Sequence, residues 1–206
     1  MANYNTPLRQ YQWGKETTKG AAVAATTPIL ATGMSFTPKD TLLRPNIARG
    51  YMMRGKGMEV PVERWTEWAL ASTPLPYDQI CNWLSMAVKG GVTPVAEDTT
   101  AWKWTFNRTP GDLPAPDSWT LERRIAASGG DTIDNEWAYA LARTLTFRGA
   151  PNGEVSFEAA GFARRIQVST MTGSLTAETG KYPVHARSHL YMDGAVGSIG
   201  TTLVSS

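Results

Sequence analysis

The sequence predicts a mainly β protein, an antiparallel β-sandwich or open barrel with one α-helix laid across a face. Three observations predict it. About eight short segments alternate apolar and polar side chains and are joined by turns of the kind that link antiparallel neighbours. A single stretch, residues 77–89, carries the period of an amphipathic helix. The 206 residues are 42% hydrophobic and include 8 tryptophans and 19 glycines, enough for one real core in a loop-rich fold.

The helix is the firmest element. Ile80, Trp83, Leu84, Ala87 and Val88 share one stripe, with Gln79, Asn82, Ser85 and Lys89 opposite. Pro76 stands just before it, where a missing amide costs nothing, and Asp78 places a negative charge in its first turn. Gly90 and Gly91 offer the left-handed residue that closes a helix, Lys89 complements the last carbonyls, and Pro94 blocks resumption. A helix of roughly three turns is not stable alone. Ile80, Trp83, Leu84 and Val88 are therefore expected to pack it onto a sheet.

The other elements follow in chain order. Residues 1–20 are polar, basic and without periodicity, either a frayed terminus or an arm that orders on a neighbouring subunit. A β domain over residues 21–206 comes next. Residues 27–30 and 34–36 are short apolar runs split by Gly33. Residues 37–63 set Arg44, Arg49, Arg54 and Lys56 against Asp40, Glu59 and Glu63, with glycines at 50, 55 and 57 that no helix survives. They read as a long β-hairpin or extended loop leading into a strand over 64–71. After the helix, 102–106 places Trp102, Trp104 and Phe106 on one face, and Trp102 and Trp104 look placed for the core. Residues 119–125 put Trp119, Leu121, Arg123 and Ile125 on one face. Residues 137–148 put Tyr139, Leu141, Leu145 and Phe147 opposite Ala138, Ala140, Thr144 and Thr146. An Asn-Gly turn at 152–153 returns the chain through 154–166, whose apolar residues change face and so predict a bulge near 159–161. Residues 184–192 and 199–204 read as final strands.

Composition and motifs exclude more than they select. A net charge of +2 is too small to imply nucleic-acid binding without a patch. One cysteine, Cys81, cannot form an internal disulfide and suits a reducing compartment. The N-terminus lacks the apolar core of a signal peptide and no stretch has the length of a membrane span, so synthesis and folding in the cytoplasm, with no membrane partner, are expected. GYMMRGKG at 50–57 nearly matches a phosphate-binding loop, but Gly57 stands where a hydroxyl should ligate magnesium, and Val60-Pro61-Val62 is extended rather than helical. His185 and His189 lie on a strand-like stretch with no cysteine or acidic cluster nearby. No nucleophile elbow is present. Arg123-Arg124 and Arg164-Arg165 alternate faces, so one of each pair must meet a lumen, an interface or a salt bridge. The expectation is a structural protein without catalytic residues, cofactor or metal, built to pack against copies of itself.

Four segments then carry a resemblance. YQWGKETTKGAAVAATTPIL, FTPKDTLLRPNIARG, YDQICNWLSMAVKGGVTP with AWKWTF, and PDSWTLERRI resemble, in order and spacing, a major tail tube protein of long-tailed (siphovirus-like) bacteriophages. The resemblance covers most of residues 10–204. It implies a phage tail tube fold, with subunits closing into hexameric or pseudo-hexameric rings that stack into the conduit for DNA ejection. Residues 37–63 would be the inter-ring stacking loop, with Arg44, Arg49, Tyr51, Arg54 and Lys56 at the contact. Residues 1–20 would be the arm, the helix would lie outside, and lumen strands would come from 64–71 and 137–166. Implied partners are other copies of the chain, the tape measure protein and genomic DNA passing through the lumen, and the tail terminator and distal tail proteins. The implied location is the virion tail. Family lumens tend to be acidic, whereas this chain is slightly basic, so its acidic residues would have to concentrate inward. The chain closes on GTTLVSS where longer relatives continue, which implies a short form or one lacking a C-terminal half; an internal duplication would let three subunits make the ring. Two other classes stay open: another β-rich virion component such as a capsid decoration or tail terminator protein, and a carbohydrate-binding β-sandwich motivated by the tryptophans.

Overall fold

The computed structural model describes residues 8–43, 60–97, 99, 102–106, 115–126, 132–149, 153–176 and 182. The elements are β1 (Leu8–Lys15), β2 (Thr27–Pro28), β3 (Met34–Leu43), β4 (Val60–Pro74), α1 (Tyr77–Ala87), β5 (Val95–Ala96), β6 (Trp102–Lys103), β7 (Trp119–Ala126), β8 (Thr132–Gly149), β9 (Val155–Ala163) and β10 (Gln167–Val168). Every strand pairing is antiparallel, in the order β2-β1-β7-β8-β9-β4-β3, with β10 also on β8 and β5-β6 a separate hairpin. The protein is thus mainly β with one helix among the described residues, as the sequence predicts.

The 18-residue β8 makes this a sandwich rather than a flat sheet. Its first half pairs with β7 and its second half with β9. Two half-sheets sharing β8 therefore fold over one core. The Tyr11 hydroxyl of β1 donates to the Met34 carbonyl of β3 at 3.2 Å, and Phe36 of β3 stacks on Trp137 of β8 at 3.8 Å. Trp83 of α1 fills the middle, 4.5 Å from Trp13 and 5.1 Å from Phe157 between ring centroids, with Trp68 at 6.0 Å. One helix side chain thereby touches β1, β4 and β9.

The helix forms where expected, on Pro76 as N-cap, and Gly91 adopts the left-handed φ of 68° just beyond its end. Its buried face is rotated from the expected stripe. Trp83 is buried and Ile80 packs on the core, but Leu84 and Val88 are only half-buried, while Gln79, Ser85 and Met86 are buried. The reason is polar: the Gln79 amide donates to the Pro28 carbonyl at 2.8 Å and accepts from Leu30 N–H, and the Ser85 carbonyl accepts from Asp117 N–H. These bonds fix the roll of the helix against the β2 and 115–118 segments. No basic residue occupies its last turn, which ends before Lys89.

The expected arm is corrected from residue 8 onward. Leu8–Lys15 is β1, hydrogen-bonded to β7 on one side and β2 on the other, and Trp13 is fully buried. Periodicity hides this strand because both its faces are covered. Tyr11 and Trp13 meet the sandwich core, whereas Gln12 on the other face is also fully buried and donates to Glu122 at 2.6 Å. Residues 1–7 lie outside the described residues.

Bulges also fall elsewhere than expected. In β8 the buried positions run Asn135 and Trp137, then Ala138, Ala140 and Ala142, so the strand changes face at Tyr139, whose φ is +57°. The expected single face through Tyr139, Leu141, Leu145 and Phe147 is corrected by a second irregularity, between Ala142 and Thr144, which turns Leu145 toward the core that Ala140 and Ala142 face. β9 itself alternates without a break, burying Phe157, Ala159, Gly161 and Ala163, and the extra residues belong to β4 between Leu70 and Thr73 and to β8 between Ala142 and Thr144. A Cβ on Gly161 would overlap the Leu141 carbonyl and the Trp68 ring, so only glycine lets the three strands approach there. Trp102, expected in the core, is 62% exposed on the small β5-β6 hairpin. Trp104 is half-buried and stacks on Phe106. The expected strands at 184–192 and 199–204, together with His185 and His189, lie outside the described residues.

Candidate interaction surfaces

The longest projecting feature is the β3-β4 hairpin. Its ladder runs from Met34↔Leu70 out to Leu43↔Val60, so residues 37–43 and 60–63 are paired strands rather than loose loop. Arg44, Arg49, Tyr51, Arg54 and Lys56, and the phosphate-loop-like 50–57, lie outside the described residues. Register shifts by one residue between Thr41 and Leu42. Thr41 pairs with Glu63 and Leu43 with Val60, so all four share one face of the hairpin's outer end. Leu43 is 57% and Val60 54% exposed there, and Glu63 is exposed. Beyond β3 no further strand pairs among the described residues, which leaves a ten-residue edge. Pro38 and the surface pairs Lys39–Glu67 (3.3 Å) and Arg64–Asp40 (3.6 Å) decorate it, features that discourage indiscriminate pairing.

A second constellation, unforeseen from sequence, is a pair of buried carboxylates. Glu16 accepts from Gly20 N–H (2.6 Å), Ser118 Oγ (2.6 Å), Thr120 Oγ1 (3.1 Å) and Tyr139 N–H (2.7 Å). Glu122 accepts from Gln12 Nε2 (2.6 Å), Ala25 N–H (3.0 Å), Thr172 N–H (2.8 Å) and Thr172 Oγ1 (2.8 Å). Each is satisfied by four neutral donors, the way a carboxylate can be held in a protein interior without a cation. They fasten residues 20–26 and 170–173 onto the outer face of β1 and β7, and Glu16 holds the bulge at Tyr139. The sequence signal was faint: Thr120 and Glu122 occupy the polar-looking face of an otherwise apolar strand.

Glu136 pairs directly across from Glu122. Burial pushes its carboxyl above the usual range, the Glu122 charge adds to the rise, a Ser169 hydrogen bond opposes it, and Glu16 adds a little more. Asp134 behaves oppositely: the bidentate Arg124 guanidinium, at 2.8 and 2.7 Å, holds it low, and Met171 N–H assists against a small burial penalty.

The arginine pairs resolve differently. Arg124 takes the salt bridge with Asp134, and Arg164 donates to the Gly20 carbonyl at 2.7 Å. Arg123 takes none. It lies 5.3 Å from the Phe36 centroid and 5.1 Å from that of Trp137. Those rings are 3.8 Å apart and nearly parallel, so near-equal distances put the cation beside the stack, not over either face. Cation–π attraction there is weak. Its buried Nε has no acceptor, and burial, with Arg9 nearby, pulls its pKa below the ordinary guanidinium value against an opposing contribution from Tyr11.

Among the described residues no His, Cys, Asp and Glu group is arranged to hold a metal ion. Cys81 is half-buried, and burial raises its thiol pKa, away from the thiolate. A shallow open groove on the outer face of β4 and β9, lined by Trp65, Phe162, Arg143 and Glu63, carries mixed charge without converging donors. No helix among the described residues is long and apolar enough to cross a membrane. No protein-family model matches the chain, and a search of curated proteins finds no match.

Proposed function

We propose that this chain is a structural subunit that assembles with copies of itself, and specifically a tail tube protein of a long-tailed bacteriophage, acting in the virion tail as the conduit for DNA ejection. The observation that carries self-assembly is the β3-β4 hairpin. Its described ladder continues past the last pair of β4 with β9, reaches exposed Leu43 and Val60, and borders an edge with no strand partner among the described residues. Aliphatic side chains grouped at the far end of a two-stranded ladder are the kind of surface that an assembly contact would bury. Ring closure and stacking would cover both the aliphatics and the edge. The tail tube identity rests on the sequence resemblance, and with it come the stacked rings, the terminator and distal tail partners, and transient passage of tape measure protein and DNA.

Negative-stain electron microscopy of the purified chain over a concentration series tests this reading. Uniform hollow tubes or stacked rings are expected. Single closed rings that never stack would instead favour a decoration or terminator protein. A second reading has one observation behind it: Trp102 is exposed beside the stacked Trp104 and Phe106, an arrangement that sugar-binding surfaces use. Glycan-array binding lost on Trp102→Ala would establish that alternative.

A further inference from the structure

The core face of the first half-sheet runs further outward than its cover. Cross-strand register sorts its side chains into rows. Trp13, Leu121 and Trp137 form the deep row; Tyr11, Arg123 and Asn135 the next; Arg9, Ile125 and Ile133 the outermost. The deep row is buried to 1% exposure or less, and Tyr11 and Asn135 are also buried. In the outer row Ile133 is 59% exposed, Ile125 half-buried and Arg9 exposed. A partly apolar face thus emerges at the mouth of the sandwich without cover among the described residues, and two cations stand in it.

Arg123 is the unusual member. A half-buried guanidinium that meets no carboxylate among the described residues costs the folded subunit stability, and apolar replacements of buried charges are often stabilising. Its presence makes sense where an acceptor arrives from outside. The same chain displays the complement: Leu43, Val60 and Glu63 on one face of the hairpin end, two exposed aliphatics with a carboxylate that has no ion pair among the described residues. Resting on the self-assembly reading above, we propose that the hairpin end of one copy docks in the sandwich mouth of the next. Leu43 and Val60 cover Ile125 and Ile133, and Glu63 supplies the missing acceptor to Arg123, with Arg9 beside it. The partner is a second copy of this chain, and the contact is heterologous, hairpin to mouth, so it propagates rather than closing a dimer.

The test uses the full chain and four variants: Arg123→Leu, Glu63→Gln, Arg123→Glu and the exchange pair Arg123→Glu with Glu63→Arg. Thermal melting is followed at a concentration where the chain is monomeric, and assembly by sedimentation velocity and electron microscopy. Arg123→Leu is expected to keep or raise the monomer's Tm while raising the protein concentration needed for assembly by about tenfold or more. Glu63→Gln should weaken assembly comparably with Tm unchanged, Arg123→Glu should abolish it, and the exchange pair should recover much of it. If Arg123→Leu lowers the monomer's Tm, Arg123 is an internal structural residue and the proposal falls. If wild type assembles and the single variants assemble equally well, the mouth is not the receptor, and self-assembly stands without it. If wild type never associates, the self-assembly reading fails and this proposal fails with it.

Discussion

Trp83 shows how one side chain can set the cost of the whole core. It contacts rings from β1, β4 and β9 and is 1% exposed. Trp83→Ala should therefore destabilise the subunit by about 3–5 kcal/mol, read as a lowered urea midpoint. Glu122 is the polar counterpart. Glu122→Leu strands the Thr172 amide and one hydrogen of Gln12 Nε2, while Ala25 N–H keeps Thr172 Oγ1 and Gln12 keeps the Thr172 carbonyl, and each stranded buried donor costs about 1–3 kcal/mol. That variant should lose at least about 2 kcal/mol, with faster amide exchange at Thr172 as its signature. Glu136 goes the other way. Its folded pKa is raised, so the folded state holds the proton more tightly than the unfolded chain does. The unfolding free energy is therefore largest below the unfolded carboxyl pKa of about 4 and falls as pH rises through the folded value. Glu136→Gln removes that loss. Urea titrations across a pH series should show the variant gaining on wild type as pH rises above about 4.

At the scale of elements, the helix and the hairpin contrast. The helix was legible to within a turn because its cues are local: proline before it, acid in the first turn, glycine after it. Its roll was not legible, since Gln79 turns inward only because the Pro28 carbonyl and Leu30 amide wait there. The hairpin was read as an excursion and proves to be a regular ladder at both flanks. Deleting residues 46–58 should leave a soluble subunit with wild-type circular dichroism that fails to form tubes. Normal tubes from that deletion would remove residues 46–58 from the assembly contact and leave it to the retained Leu43, Val60 and Glu63. β1 was missed because strand recognition by alternation needs one solvated face, and its middle, residues 11–14, is buried on both faces. The candidate surfaces follow the same division. The hairpin was found from composition, whereas the Arg123 mouth required knowing that β1, β7 and β8 lie side by side.

For the molecule as a whole, both half-sheets are wrapped around aromatic rings, and the first is roofed on its outer face by stretches held through carboxylates. This double covering explains why a chain of moderate hydrophobicity buries four tryptophans to 1% exposure or less. It also locates what is left uncovered: the β3 edge, the hairpin end and the sandwich mouth. A tube subunit would use those three places. The sequence alone determined the mainly β class, the antiparallel connections, the single helix with its termini and the long hairpin, because each is written in residues that are neighbours along the chain. Only the tertiary structure decided that β1 is internal, where β8 changes face, how the helix is rolled and which arginine meets no carboxylate among the described residues. Those outcomes depend on contacts such as Gln12 with Glu122 and Glu16 with Tyr139, more than a hundred residues apart, whose hydrogen bonds outweigh local polarity in deciding what is buried.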